Sequence, residues 1–373
     1  MRNPNAKSRV LLLTAMFVGL VNVPSLSAVA ESWEEETVLI SPQGDQTVVR
    51  SLKGDKILFQ NADPQLAMEW GLANARTTLV LAGKYVVSES VDIPRDDVTL
   101  IIDQGAEISL NPQTEHKTDI GFRPAGSHQL VPLIYNHGRD NVRVIHLGTL
   151  VHSAWPDTKP PKQTFPIVFD GRNEKRTCGV EGGLLLVAGS AAQSFLLLDA
   201  RGVHVPLLTL DSDSRMDGVL TLEGCENCRL GMIVNLAPEP GGKTGETVDL
   251  NSSNRGITIE RLVGERSQEI IDCNGSHATV HEIVSVGKPQ KLLCFTIRSG
   301  PRWTSRPAAA DRLDVWQATI LEDAADVRRR IEAPKLPRAL PRFTVKATVE
   351  VTLKDGSKKE YTKEVEIDVR SAE

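Results

Sequence analysis

Residues 77–110, TTLVLAGKYVVSESVDIPRDDVTLIIDQGAEISL, place three brief, β-branched-rich runs between turns. Leu79–Leu81, Tyr85–Val87 and Val98–Ile102 read as strands, separated at Ala82–Gly83, Pro94–Asp97 and Gln104–Gly105. Strands this short cannot sustain an ordinary sheet alone. Stacked on successive passes of the chain, each pairs with the one below and buries one face in a shared interior. The pattern predicts an all-β solenoid, with function on its long exposed flank.

An internal repeat supports the same architecture. Asp249-Leu-Asn-Ser-Ser-Asn…Val-Gly264 and Asp272-Cys-Asn-Gly-Ser-His…Val-Gly287 align at a spacing of 23 residues. Leu222-Glu-Gly and Leu198-Asp-Ala are looser, earlier copies. Stacking predicts one inward column of Leu198, Leu222, Leu250 and Cys273, and a turn ladder in which Asn251 and Asn274 bond through their amides. The ladder explains both Asn-x-Ser sites without glycosylation.

Flanking segments differ in grammar. Asp63 as N-cap and Pro64 at the first helical position begin a helix that covers the open end of the stack. Residues 152–183 are rich in Pro, Gly and charge and read as a loop thrown out from it. Asp311 to Ile331 places Leu313, Trp316, Ile320 and Leu321 for one helical face, with Arg328–Arg330 at its end. Phe343 to Leu353 then alternates, turns at Asp355–Gly356 and returns to Val369, a hairpin whose apolar face must cover the stack or a second subunit. A homo-oligomer through this hairpin is one expectation.

The domains expected are 1–30, a signal peptide; 31–76, a lead-in and capping helix; 77–300, the solenoid; and 301–373, a helix and hairpin. Arg2, Lys7 and Arg9 precede an apolar run from Val10 to Val23, and Ala28-Val-Ala30 offers a cleavage site. The run falls short of the about 20 residues that span a bilayer. Export to the periplasm or beyond follows, with no membrane insertion. Losing the three basic residues takes the net charge from −5 to −8, which opposes nucleic acid as a partner. Five cysteines are too few and odd for a disulfide scaffold, and Cys225-x-x-Cys228 lacks a second pair at zinc spacing. On a strand these two would face opposite ways, so no metal site is assigned.

The segments LVLAGKYVVSESVDIPRDDVTLIIDQGAEI and LIYNHGRDNVRVIHLGTL resemble the recurrent rungs of the pectin-lyase-like superfamily. That resemblance implies a right-handed, single-stranded parallel β-helix over roughly 77–287. It also implies an activity on polysaccharides, by hydrolysis or β-elimination, or a non-catalytic role. The chain departs from that superfamily's polygalacturonase signature. After Gly148-Thr-Leu150 it continues Val151-His152, so no catalytic residue carries over.

Candidate chemistry therefore rests on local residues. Asp211 and Asp213, two apart on an extended segment, share a face, as paired carboxylates for glycoside hydrolysis require. Arg215 continues that polar face. His152 and Trp155 in the 152–183 segment supply a proton-transfer group and a ring to stack on sugar. Aromatics are only 4% of the chain, against an extended stacking platform. Arg201, Arg215, Arg229, Arg255 and Arg261 recur along the stack and suit an anionic glycan. No cofactor is required, and calcium is compatible with the Asp211/Asp213 oxygens. The expectation is a secreted carbohydrate-active protein cleaving an extended, anionic polysaccharide. The alternative is a non-catalytic secreted or envelope protein that binds glycan or protein.

Overall fold

The computed structural model describes residues 35–369 apart from 55, 112, 122–128, 152–153, 156–161, 173–183, 188–189, 192–194, 212–219, 237–243, 252, 290, 295–296, 300–301, 305–311, 322–323, 333–335 and 337–341. The expected signal peptide lies outside the described residues. The chain is mostly strand, with one described helix, Pro64–Asn74. No described helix is long and apolar enough to cross a membrane.

Three largely parallel sheets of 12, 9 and 4 strands dominate. The early passages of the chain add a strand to each sheet in turn. Ala75–Val80 joins the 12-stranded sheet, Gly83–Val87 the 4-stranded and Val91–Asp92 the 9-stranded. Thr99–Ile102, Ala106–Leu110 and Gln129–His137 repeat that order one strand further on. From Leu220–Glu223 to Lys291–Cys294, strands of the 9- and 12-stranded sheets simply alternate. Thr99–Ile102 is buried at every residue, as expected of a parallel strand covered on both faces. Left-handed residues make the corners after the 9-stranded sheet, among them Asp199 (φ 47°), Gly224 (φ 67°) and Asn227 (φ 55°).

One continuous apolar cluster runs inside the stack from Val38 to Ile283. The 23-residue repeat holds: Asp249 pairs with Asp272 and Leu250 with Cys273. Leu222 pairs with Leu250, and all three of Leu222, Leu250 and Cys273 are buried. The fourth member of the column is Leu197, not Leu198, because Leu197 pairs with Leu222 and Leu198 with Glu223. A slip of one residue changes face. Leu198 points outward into a separate cluster with Ile120, Leu130, Tyr135, Phe165, Val168 and Leu196.

The asparagine ladder is also corrected. Asn251 and Asn274 are neighbours at the corner, but the Asn251 Nδ2 has no partner. The buried amide at this corner belongs to Asn254. Its Oδ1 accepts from Cys225 N (2.8 Å), and its Nδ2 donates to Leu222 O (2.9 Å) and Ser276 Oγ (3.0 Å).

The helix forms as expected: Asp63 Oδ1 accepts from Gln65 N at 3.0 Å, and Met68 and Leu72 are fully buried in the end of the core. Stacking begins earlier than residue 77, since Glu35–Gln43 already pairs in parallel with Ala75–Val80. The 152–183 segment is not one expelled loop. Lys162–Asp170 is a nine-residue strand of the 9-stranded sheet, and Ile167 and Phe169 point into the core.

The C-terminal helix is absent. Arg312–Leu321 is a strand in register with His277–Val286, and Ala324–Glu332 is another. Leu313 and Val315 pack toward the core, while Trp316 is 71% exposed. The unpaired edge of His277–Val286 offers the ladder that a lone helix cannot use. Arg328 pairs with Asp326 and Arg330 with Glu360 on the strand surface. The hairpin is present as Arg342–Leu353 and Lys358–Asp368. Its apolar face, Phe343, Val345, Ala347, Val349, Val351 and Ile367, lies on the outer face of the 12-stranded sheet, against residues such as Ile101, Ile145, Met232, Val234 and Val284. Lys363 Nζ to Glu260 Oε2 (2.8 Å) and Arg143 Nη1 to Asp368 O (3.0 Å) tie its edges down.

Candidate functional site

Asp211 closes the strand His204–Asp211, opposite Leu236. Trp155 lies in the two-residue strand Ala154–Trp155, antiparallel to Lys162–Asp170 and opposite Lys162. His152, Asp213 and Arg215 lie outside the described residues. Three of the five arginines expected to bind an anion are engaged by neighbours of opposite charge. Arg201 meets Glu226 (3.5 Å), Arg229 meets Glu260 (2.8 Å) and Arg261 meets Glu282 (2.5 Å).

A different polar group occupies the outward side of the 9-stranded sheet, where its strands end. Asp170, the last residue of Lys162–Asp170, is almost fully buried. Arg172 grips it with two bonds, Nε to Oδ1 (3.0 Å) and Nη2 to Oδ2 (3.1 Å). Tyr135, from the neighbouring strand, donates its hydroxyl to Oδ2 at 3.1 Å. Arg172 Nη2 also reaches Ile120 O at 2.7 Å, which fixes the guanidinium from the opposite side. A bidentate arginine plus a phenol holds a carboxylate in one orientation. Burial pushes the Tyr135 hydroxyl well above the usual phenol range, and the Asp170 charge adds to it. The phenol therefore stays a donor. His137, exposed at the end of the same strand, stacks on the Tyr135 ring at 5.1 Å between centroids.

Asp199 follows the next strand, Phe195–Leu198, and is left-handed. Burial raises its carboxyl above the ordinary range; Arg172 and Arg201 pull the other way and Asp170 adds to the rise. Its Oδ1 lies over Gly224, where any Cβ would collide with it. Gly224 thus provides both the left-handed corner (φ 67°) and the space for the carboxylate. Two neighbouring carboxyls therefore differ in environment, one clamped by cationic and phenolic donors and one set against backbone.

The sequence carried a signal for this pair that spacing within a single strand misses. Phe169-Asp-Gly-Arg172 and Leu198-Asp-Ala-Arg201 share the order apolar, Asp, small, Arg at the ends of adjacent strands.

Further along the same face, Glu246, Glu269 and Asp272 bring carboxylate oxygens within 4.8 Å of one another. Among the described residues this is the grouping of three or more His, Cys, Asp or Glu side chains with metal-binding spacing, and neither Cys225 nor Cys228 belongs to it. Hard oxygen donors suit calcium, which takes about six to eight of them. No family model, curated protein or solved structure matches this chain.

Proposed function

We propose that the chain is an exported, right-handed parallel β-helix that acts on an extended polysaccharide along the outward face of the 9-stranded sheet. Hydrolysis is preferred over β-elimination. The observation that carries this reading is the contrast between Asp170, buried and clamped by Arg172 and Tyr135, and Asp199, exposed at the end of the next strand. Glycoside hydrolysis needs one carboxyl that holds its proton to give to the leaving oxygen and one that serves as base or nucleophile. Asp199 suits the first role and Asp170 the second, replacing Asp211 and Asp213 as the leading pair. Asp249 and Asp272, in register on neighbouring strands of this sheet, with Arg201 already paired to Glu226, support a neutral rather than an anionic chain as substrate. No cofactor is needed for these steps.

The test assays Asp170→Asn, Asp199→Asn and the double Asp211→Asn/Asp213→Asn variant against neutral and anionic polysaccharides. Reducing-end release and the absorbance of unsaturated ends are both followed. Loss of about 100-fold or more in the first two variants on a neutral glycan is expected. Wild-type release that both retain would remove the assignment. Loss confined to the double variant would return the chemistry to Asp211 and Asp213. A wild type that binds glycan without cleaving it would favour the non-catalytic alternative.

A further inference from the structure

Among the described residues five large apolar side chains are exposed, and four of them lie at the two opposite ends of the 12-stranded sheet. Strand Ile57–Asn61 ends the sheet on one side, where Ile57 and Leu66 of the adjoining helix face solvent. The stack of Trp70 on Phe59, 5.6 Å between centroids, holds that helix to the strand. Strand Arg312–Leu321 ends the sheet on the other side, with Trp316 and Ile320 exposed. No described strand pairs with the outer edge of either. The helix seals the apolar interior at the first end and leaves the strand edge beside it uncovered. Proteins ordinarily blunt such edges with charge or proline. Ile57–Asn61 (ILFQN) and the run from Val315 to Leu321 (VWQATIL) contain neither.

The two edges match in direction, face and charge. Ile57–Asn61 is antiparallel to Gln46–Ser51, itself antiparallel to Glu35–Gln43, so it points the same way as the parallel strands that end with Arg312–Leu321. Setting Ile57 beside Trp316 sets Phe59 beside Ala318. Phe59 pairs with the core residue Val49 and Ala318 with the core residue Ile283, so both face inward. Ile57, paired with Arg50, and Trp316, stacked on His281 at 4.2 Å, are both exposed. The same alignment brings the exposed Lys56 beside Val315 and diagonal to Asp314, a favourable pairing of charge. We propose that a second copy of this chain docks head to tail, its Ile57–Asn61 edge pairing in parallel with the Arg312–Leu321 edge of the first. A second copy is the occupant because each edge finds its complement at the other end of the same chain. The contact is heterologous, so every added copy leaves a new free end and growth is open. It covers the four exposed apolar side chains and both strand edges. Neither edge belongs to the 9-stranded sheet, so docking and glycan cleavage are separable.

Sedimentation velocity of the full chain at rising concentration is expected to show a weight-average mass that climbs past two chains without a plateau. Two double variants block one end each: Ile57→Lys with Leu66→Lys, and Trp316→Lys with Ile320→Lys. All four positions are exposed, and an unchanged melting temperature checks that the fold is kept. Each variant alone should stay monomeric, because each retains one half of the contact. An equimolar mixture should form a dimer of one chain of each kind and nothing larger. Lys56→Glu, a milder change, should weaken association about threefold at low salt. A wild type that is monomeric throughout would overturn the proposal, as would a plateau at the dimer, which marks a two-fold contact. Self-association retained by either double variant, or a mixture that stays monomeric, would do the same. If a double variant does not fold, Lys56→Glu decides: association it leaves unchanged rules out this pairing of edges.

Discussion

Asn251 and Asn254, three residues apart at one corner, differ in what their removal leaves behind. Asn254 satisfies the Cys225 N–H and donates to Leu222 O and Ser276 Oγ from a site at 1% exposure. Asn254→Ala orphans that buried N–H and should cost about 1–3 kcal/mol. Asn251→Ala removes an Nδ2 that bonds to nothing and should cost less than about 0.5 kcal/mol. Urea denaturation of the two variants reads the difference directly. His146 makes a second residue-scale prediction. Its ring is fully buried, neither nitrogen has a partner, and burial lowers its pKa from 6.5 to about 3. Above pH 6.5 both folded and unfolded chains keep it neutral, so it makes no pH-dependent difference. As the pH falls toward 3 only the unfolded chain takes up the proton, and stability declines by about 1.4 kcal/mol per unit. His146→Leu should flatten this slope between those limits when melting temperature is followed against pH.

At the scale of elements, the strands and their order were legible because β-branched runs recur between turn residues. What was hidden has physical causes. Phe195-Leu-Leu-Leu198 is buried on both faces, so its hydrophobicity carries no period, and the choice between Leu197 and Leu198 could not be read from it. Phe165-Pro-Ile-Val-Phe169 is hidden in a segment rich in Pro, Gly and charge, yet it runs in constant register with Pro132–Asn136 of its neighbour. Leu313, Trp316 and Ile320 have helical spacing by coincidence, and a waiting sheet edge overrides it. The Asp170–Asp199 pair escapes a reading made strand by strand for a related reason, since its members come from different strands and are neighbours only after stacking. The hairpin supplies the prediction at this level. Val349 is fully buried against the 12-stranded sheet, so Val349→Asp places an uncompensated charge there. A loss of about 3–5 kcal/mol is expected, together with increased binding of a hydrophobic dye as the hairpin lifts.

Across the whole molecule, stacked parallel strands leave two ends that must be closed. The helix closes one by burying Met68 and Leu72 against Val38, Val80 and Val91. Met68→Asp combined with Leu72→Asp should open that end and expose both apolar interior and strand edge. Concentration-dependent association is the expected outcome, checked by light scattering. A monomer at all concentrations would mean that the end is protected by something other than the helix. The architecture also sets where change is tolerated. Corners lengthen without disturbing the layers above and below, whereas one residue added within a strand would invert every side chain after it.

The even spacing of those layers has a consequence for recognition. Neighbouring strands lie about 4.8 Å apart, so the outward row that runs from Thr221 through Asp249 to Asp272 is a graduated scale. A linear polymer whose monomers advance by nearly the same step stays commensurate with it and presents the same chemical group at every mark. One with a longer or shorter step drifts out of phase after a few units and must bind through a single locus.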